Sequence, residues 1–275
     1  MADARSPINY IQVRARPRHA GGEARCGLRP RLCSDALFAR VSLVLSNAAR
    51  NPTFYKVRNL VLQKDRLMSE TEVLPPAALP GAGKTVGVLA LQGGVAEHAR
   101  MLESLGAQVV LVKSAEQLAN LDALVLPGGE SSTIDRLTRI FGLRQPLIEA
   151  ISGGLPTLGT CAGLIMLSTV IDDPAPGQQS LGVLDVSVGR NAFGSQVDSA
   201  QVHLPWLTPS GEEVVIDTAF IRAPIVTRAG EGVQVVAHHE GKIVGVRAGN
   251  IIGISFHPEV TGDTTVHEEL LSLIR

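Results

Sequence analysis

The 275-residue sequence predicts a doubly wound α/β fold, with a mostly parallel sheet, an antiparallel extension and three α/β/α layers. Three observations point there. Short continuous apolar runs alternate with helical stretches between Val86 and Leu167, the β–α alternation of a parallel sheet. Aromatic residues make up only 3% of a chain that is 45% hydrophobic, so the core must be built from Val, Leu, Ile and Ala. Such residues suit strands buried on both faces. From Leu181 to Ile254 the pattern changes to several short strands, as an antiparallel extension requires.

In chain order, Val86–Leu91 is apolar throughout and reads as the first buried strand. A Gly93-Gly94 turn leads into a helix through Leu105, closed by Gly106. Val109–Val112 and Ala123–Leu126 are the next strands. The second of these runs into Pro127-Gly128-Gly129-Glu130-Ser131, after which Ser132 or Thr133 is expected to cap a helix. Leu143–Ile151 forms another helix, stopped by Gly153-Gly154. Leu155–Leu158 leads to Cys161, and Leu164–Leu167 starts the helix behind it. The short strands expected after that are Leu181–Val188, Glu213–Ile216, Ala219–Arg222, Gln234–His238 and Lys242–Val246. Ile251–Ser255 is again a buried strand, and Thr265–Ile274 a closing helix with Asp263 as its cap. The parallel part has the makings of a flavodoxin-like sheet.

Charge divides the chain. Residues 1–67 hold 13 Lys and Arg against 4 Asp and Glu, a net of +9, whereas the remainder holds 12 against 22. The first segment has no sustained helical or strand period. It reads as a disordered basic extension, or as translation upstream of a start at Met68, in preference to a nucleic-acid arm or a transit peptide. Residues 68–84, rich in Pro, Ala and Gly, read as a linker, and 85–275 as the working domain. Gly81-Ala82-Gly83-Lys84-Thr85 resembles a phosphate loop but lacks its first glycine, since Ala78 stands there. With a net charge of −1 and no apolar run of spanning length, neither nucleic acid nor membrane is an expected partner. Cys26, Cys33 and Cys161 form no disulfide framework, and a reactive thiol suits the reducing cytoplasm.

Gly159-Thr160-Cys161-Ala162-Gly163 has the form of a nucleophile elbow with sulfur in place of oxygen. Taken alone, it reads equally well as an inert cysteine between packing glycines. A nucleophile needs a base, and the base a partner. Phe256-His257-Pro258-Glu259 follows a buried strand and supplies both, with His257 at the strand end and Glu259 turned back to hold the imidazole. The adjacent pair His238-His239 cannot chelate a metal together, because neighbours on a strand face opposite ways. No spacing implies a metal or an organic cofactor.

Gly-Thr-Cys-Ala-Gly, Pro-Gly-Gly-Glu-Ser and His-Pro-Glu, in this order, resemble the class I (triad) glutamine amidotransferase family. Leu91-Gln92-Gly93 with Glu97-His98, Arg190-Asn191-Ala192-Phe193-Gly194 and Phe220-Ile221-Arg222-Ala223-Pro224 are similar to the glutaminase subunit of pyridoxal 5'-phosphate synthase. The resemblance covers Thr85 to the C-terminus. It implies a glutaminase in which Cys161 attacks the glutamine amide, His257 moves the proton and Glu259 orients it. Ala162 and a glycine N–H of Gly128 or Gly129 are the implied oxyanion donors. Gly129, Glu130, Ser131, Arg190, Ile221 and Arg222 match the family's glutamine-binding positions. For Arg222 the competing reading is a surface ion pair.

The implied partners are L-glutamine and a pyridoxal 5'-phosphate synthase subunit that accepts the ammonia, since no second catalytic domain is visible in the sequence. A glutaminase serving another acceptor, and a non-catalytic regulatory member of the fold, are the alternatives. The chain departs from the family pattern at Ser195, Ala200 and Gln201, which puts in doubt that loop's packing or its contacts with a partner. His98 is expected at a helix start or interface, and His203 and His267 carry no signal.

Overall fold

The structure, a computed structural model, describes residues 79–190 and 200–275. The basic segment 1–67, the linker up to 78 and the departure at Ser195 lie outside the described residues. From Leu79 the chain already packs on the domain, with the Gly81 N–H donating to the Leu105 carbonyl at 2.8 Å.

The first half of the fold runs β1 (Thr85–Leu89), α1 (Val95–Ser104), β2 (Gln108–Val112), β3 (Ala123–Leu126), α2 (Ser131–Ile140), α3 (Arg144–Ser152), β4 (Thr157–Thr160) and α4 (Ala162–Leu167). Then come β5 (Ser168–Ile171), β6 (Leu184–Gly189), β7 (Ala200–Leu207), β8 (Glu213–Phe220), β9 (Ile225–Ala229), β10 (Gln234–His239) and β11 (Lys242–Ala248). β12 (Ile251–Ile254), α5 (Pro258–Thr261) and α6 (Thr265–Ser272) close the chain.

The parallel part of the sheet has the order β2-β1-β3-β4-β12. That is a flavodoxin-like order whose fifth place is filled by the last strand of the chain. The sheet continues through β11, β9, β6 and β5, with β10 also paired to β11. The β12–β11, β11–β9 and β9–β6 pairings are antiparallel, so the expected extension is present. Two apolar layers flank the sheet. Val86, Leu158, Ile252, Phe256 and Leu270 fill one, and Leu89, Leu124, Ile134, Leu147, Leu164 and Val246 the other.

β7 and β8 stand apart as a two-stranded ribbon. It is anchored by Trp206, whose indole N–H donates to Glu269 at 2.9 Å. The other oxygen of Glu269 meets Arg247 at 2.6 Å. The stretches read as two strands, Glu213–Ile216 and Ala219–Arg222, join as one that ends at Phe220, with Ile221 and Arg222 beyond it. Asp217 faces solvent and Thr218 is buried, so the polar pair continues the alternation instead of breaking it. β7 escapes a sequence reading because Pro205 and His203 lie inside it. Proline is tolerated here because the ribbon leaves one edge unpaired. β5 is hidden because it follows α4 directly, with no turn residue between Leu167 and Ser168. The cap of α2 is Glu130, neither Ser132 nor Thr133. Its carboxylate accepts from the backbone N–H groups of Ser132 at 3.4 Å and Thr133 at 2.8 Å. Asp263 does accept from the Thr265 N–H, at 3.0 Å, at the start of α6.

Candidate active site

Parallel strands aim their C-terminal ends one way, and β3, β4 and β12 are neighbours. The loops after them therefore meet at one edge. Cys161 sits directly after β4 with φ of 48°, a left-handed conformation costly for a residue with a side chain. Glycine on both sides makes the turn possible. A Cβ on Gly163 would come within 2.0 Å of the Leu126 carbonyl oxygen, and one on Gly159 within 2.8 Å of the Gly163 backbone. The Cys161 N–H donates to Ile254 O at 2.8 Å, which ties the elbow to β12. The thiol lies 4.0 Å from the Ile221 carbonyl.

β12 delivers His257 to the same edge. Pro258 opens α5, where its fixed φ suits the first helical position, and Glu259 follows within the same turn. The His257 Nδ1–H donates to Glu259 Oε1 at 2.7 Å, leaving Nε2 for the thiol. Burial alone would lower the His257 pKa. Hydrogen bonds and charge from Cys161 and Glu259 reverse this and raise it to about 10. Cys161, His257 and Glu259 therefore form one connected, largely buried set.

Gly128 packs against this set so closely that a Cβ there would stand 2.3 Å from His257 Cε1 and 3.4 Å from Cys161 Cβ. Its carbonyl accepts the Gly94 N–H at 2.9 Å, which directs the Gly129 N–H away from Gly94. The next peptide is fixed by Gln92, whose Oε1 accepts the Glu130 N–H at 2.7 Å. The Ala162 N–H begins α4 and so has no acceptor within the helix.

Cys161 borders two pockets. The smaller, about 140 Å³, is lined by Gly129, Glu130, Ser131, Ile165, Arg190, Ile221 and Arg222, so all six expected glutamine-binding residues meet there. The larger, about 480 Å³, lies on the His257 side among Gly93, Glu97, Arg100 and Val260. A groove of about 550 Å³ between Leu118 and Asn250 is roomier than either, but no nucleophile lines it. Arg222 is exposed with φ of 46°, and among the described residues its guanidinium has no ion-pair partner. The Glu130 carboxylate is occupied by capping and by Arg190 at 3.6 Å. Burial opposes its ionisation, but bonds from Ser132 and Thr133 outweigh that and bring its pKa to about 2. Among the described residues, no cluster of His, Cys, Asp and Glu is arranged to hold a metal ion.

Gln178 carried no motif, yet it organises the small pocket. Its Nε2 donates to Ser131 Oγ at 2.9 Å, and its Oε1 accepts from Arg190 at 2.9 Å. His98 and His267 were also missed. Both are fully buried, His98 in the first turn of α1, the helix start expected for it, and His267 in the first turn of α6. Only their place on the apolar faces of α1 and α6 hinted at burial.

Burial, with the neighbouring imidazoles, holds the His98 pKa well below 6.5. Burial likewise lowers that of His267 to about 4. The unfolded chain therefore takes up protons below pH 6.5 that the fold excludes, and stability should fall from there toward pH 4.5. His257 has the opposite sign. Its contribution is complete below pH 6.5 and is lost only as the pH rises toward 10, so it is constant in that window. Melting temperatures between pH 4.5 and 7 check this. His267→Gln should flatten the slope, and an unchanged slope would contradict the buried neutral state.

The family model for the SNO glutamine amidotransferase family matches residues 88–273. A Kineococcus radiotolerans protein named pyridoxal 5'-phosphate synthase subunit PdxT is 52% identical over 198 residues, covering 70% of this chain and 95% of that protein. A Cutibacterium acnes protein of the same name is 50% identical, covering 68% and 94%. A solved structure described as a glutamine amidotransferase superposes with a TM-score of 0.64 at 43% identity, over 69% of this chain and 98% of that one. The family match spans the strands and loops that hold Cys161, His257 and Glu259. The chain belongs to the SNO glutamine amidotransferase family.

Proposed function

We propose that this chain hydrolyses L-glutamine to glutamate and ammonia, and hands the ammonia to a pyridoxal 5'-phosphate synthase subunit. The observation that carries the reading is the connected Cys161–His257–Glu259 set, with Cys161 at the border of the small polar pocket. Glutamine enters with its α-carboxylate toward Arg222 and its α-amino group toward the Glu130 side. Its side-chain amide then reaches Cys161.

The thiolate attacks the amide carbon while His257 gives its proton to the leaving nitrogen. Ammonia departs and a thioester remains on Cys161. His257 next deprotonates a water molecule, which attacks the thioester and frees glutamate. Glu259 keeps the Nδ1–H tautomer throughout and offsets the imidazolium charge. The developing oxyanion is held by the Ala162 N–H and a glycine N–H of the Gly128–Gly129 loop, each worth about 2.7–4 kcal/mol of barrier. The synthase partner is supported by the names of the relatives and by the larger pocket, where Ile221 and Val260 are exposed apolar rim residues.

Reconstitution of the full chain with the synthase subunit of a PdxT-containing relative tests this. Glutamine should support pyridoxal 5'-phosphate formation, and glutamate release should rise on adding the synthase. Formation that requires free ammonium, with no glutamate released, would contradict the proposal.

Gln178 gives a separate prediction. Gln178→Ala removes the link between Ser131 and Arg190, so KM for glutamine should rise about tenfold with kcat within about twofold. An unchanged KM would show that Gln178 does not shape the pocket.

A further inference from the structure

Behind the triad, on the side away from the thiol, lies a chain of two imidazoles that the mechanism above does not use. The His98 Nε2 is 3.0 Å from Thr160 Oγ1 and 3.4 Å from Glu259 Oε1, and its Nδ1 is 2.9 Å from His267 Nε2. Thr160 is the residue before the nucleophile, so His98 touches both arms of the site. Glu259 Oε2 is buried with no hydrogen-bond partner among the described residues, so the carboxylate depends on what meets Oε1.

Only one arrangement of protons fits. With its proton on Nδ1, His98 would turn the Nε2 lone pair toward a carboxylate 3.4 Å away. It would also leave the buried His267 Nδ1 as an N–H without an acceptor. With the proton on Nε2, the N–H lies against Thr160 and Glu259, His98 Nδ1 accepts from the His267 Nε2–H, and at His267 only a lone pair goes unused. An orphaned lone pair is the cheaper defect. Both rings are held neutral by burial, so the 3.4 Å approach to Glu259 is that of a neutral N–H dipole whose hydrogen bond goes to Thr160, and not of an ion pair.

We propose that His98 is a positioning residue of the triad, holding Glu259 and the Thr160–Cys161 elbow in register through its Nε2–H, in a tautomer set by His267. The inference rests on the triad reading but acts through Glu259, not through substrate. The charged and titratable groups facing the pair are Glu259 and His257 beside His98, and Asp263 near His267.

The test uses three full-length variants. His98→Gln places an amide N–H near the Nε2 position. His98→Asn reaches only the Nδ1 position, and His98→Leu removes both. Glutamine turnover is measured with the rate of Cys161 alkylation by iodoacetamide from pH 5 to 9.

His98→Leu and His98→Asn should lower kcat about tenfold with KM unchanged. The acid limb of alkylation should move to higher pH, because a Glu259 carboxylate no longer held in register against His257 Nδ1 gives weaker support to the His257 imidazolium. His98→Gln should keep most of the rate and the original limb. If Leu or Asn leaves the alkylation profile where it was, or if Gln and Asn behave alike, the proposal is overturned. Should Leu fail to fold, the Gln and Asn pair still decides. Alkylation needs no glutamine, so a wild-type protein that does not hydrolyse glutamine would defeat the proposed function while leaving this inference open to the same readout.

Discussion

Cys161→Ala is expected to abolish glutamine hydrolysis while leaving the fold intact. The elbow accepts a small residue, and alanine keeps the Cβ of cysteine and removes only sulfur. Among the described residues lining the small pocket, the other hydroxyl is Ser131 Oγ, which accepts from Gln178. The glycines on both sides, which the turn needs, are untouched. Covalent chemistry would then lack its attacking atom, and the loss should reach several orders of magnitude. Residual turnover within tenfold of wild type, about 1.4 kcal/mol of barrier, would remove Cys161 from the role of nucleophile. A melting temperature within a few degrees of wild type is the accompanying control.

Gly128→Ala is expected to be nearly as damaging without touching the triad itself. The added methyl would lie 2.3 Å from His257 Cε1, well inside contact distance, and the ring cannot retreat freely because Glu259 holds Nδ1 at 2.7 Å. Either the imidazole or the 127–130 loop must shift by about an ångström. Misplacement of that size costs on the order of a hundredfold in rate. Because the loop also carries a candidate oxyanion donor, kcat should fall by at least that factor. The variant should fold, since the site lies at a loop and not in the core. Wild-type turnover in Gly128→Ala would mean that the loop and the base are not packed together as described.

Residues that make contacts of their own kind were readable in the chain. β3 and β12 are unbroken apolar runs, and Cys161, His257 and Glu259 sit in short motifs whose neighbours are dictated by backbone geometry. Gly163 is needed because Leu126 O is in the way of any side chain. What was not readable depends on partners distant in sequence. Gln178 matters only because folding brings Ser131, 47 positions away, against it. His98 and His267 are 169 positions apart, and each alone is a polar residue on an apolar helix face. β7 was hidden by Pro205, whose missing N–H is harmless in a two-stranded ribbon. The cap of α2 was misplaced because Glu130 reaches forward to Thr133, a role usually taken by a shorter side chain.

Treating the full chain with a diazo-ketone analogue of glutamine, followed by peptide mass mapping, tests the central claim most directly. The sequence offers two other thiols, Cys26 and Cys33, as internal competitors. The account predicts that the label is found on Cys161, that glutamine protects it, and that one label per chain accompanies complete loss of glutaminase activity. Label on any other residue, or full glutamine turnover by protein labelled at Cys161, would contradict it.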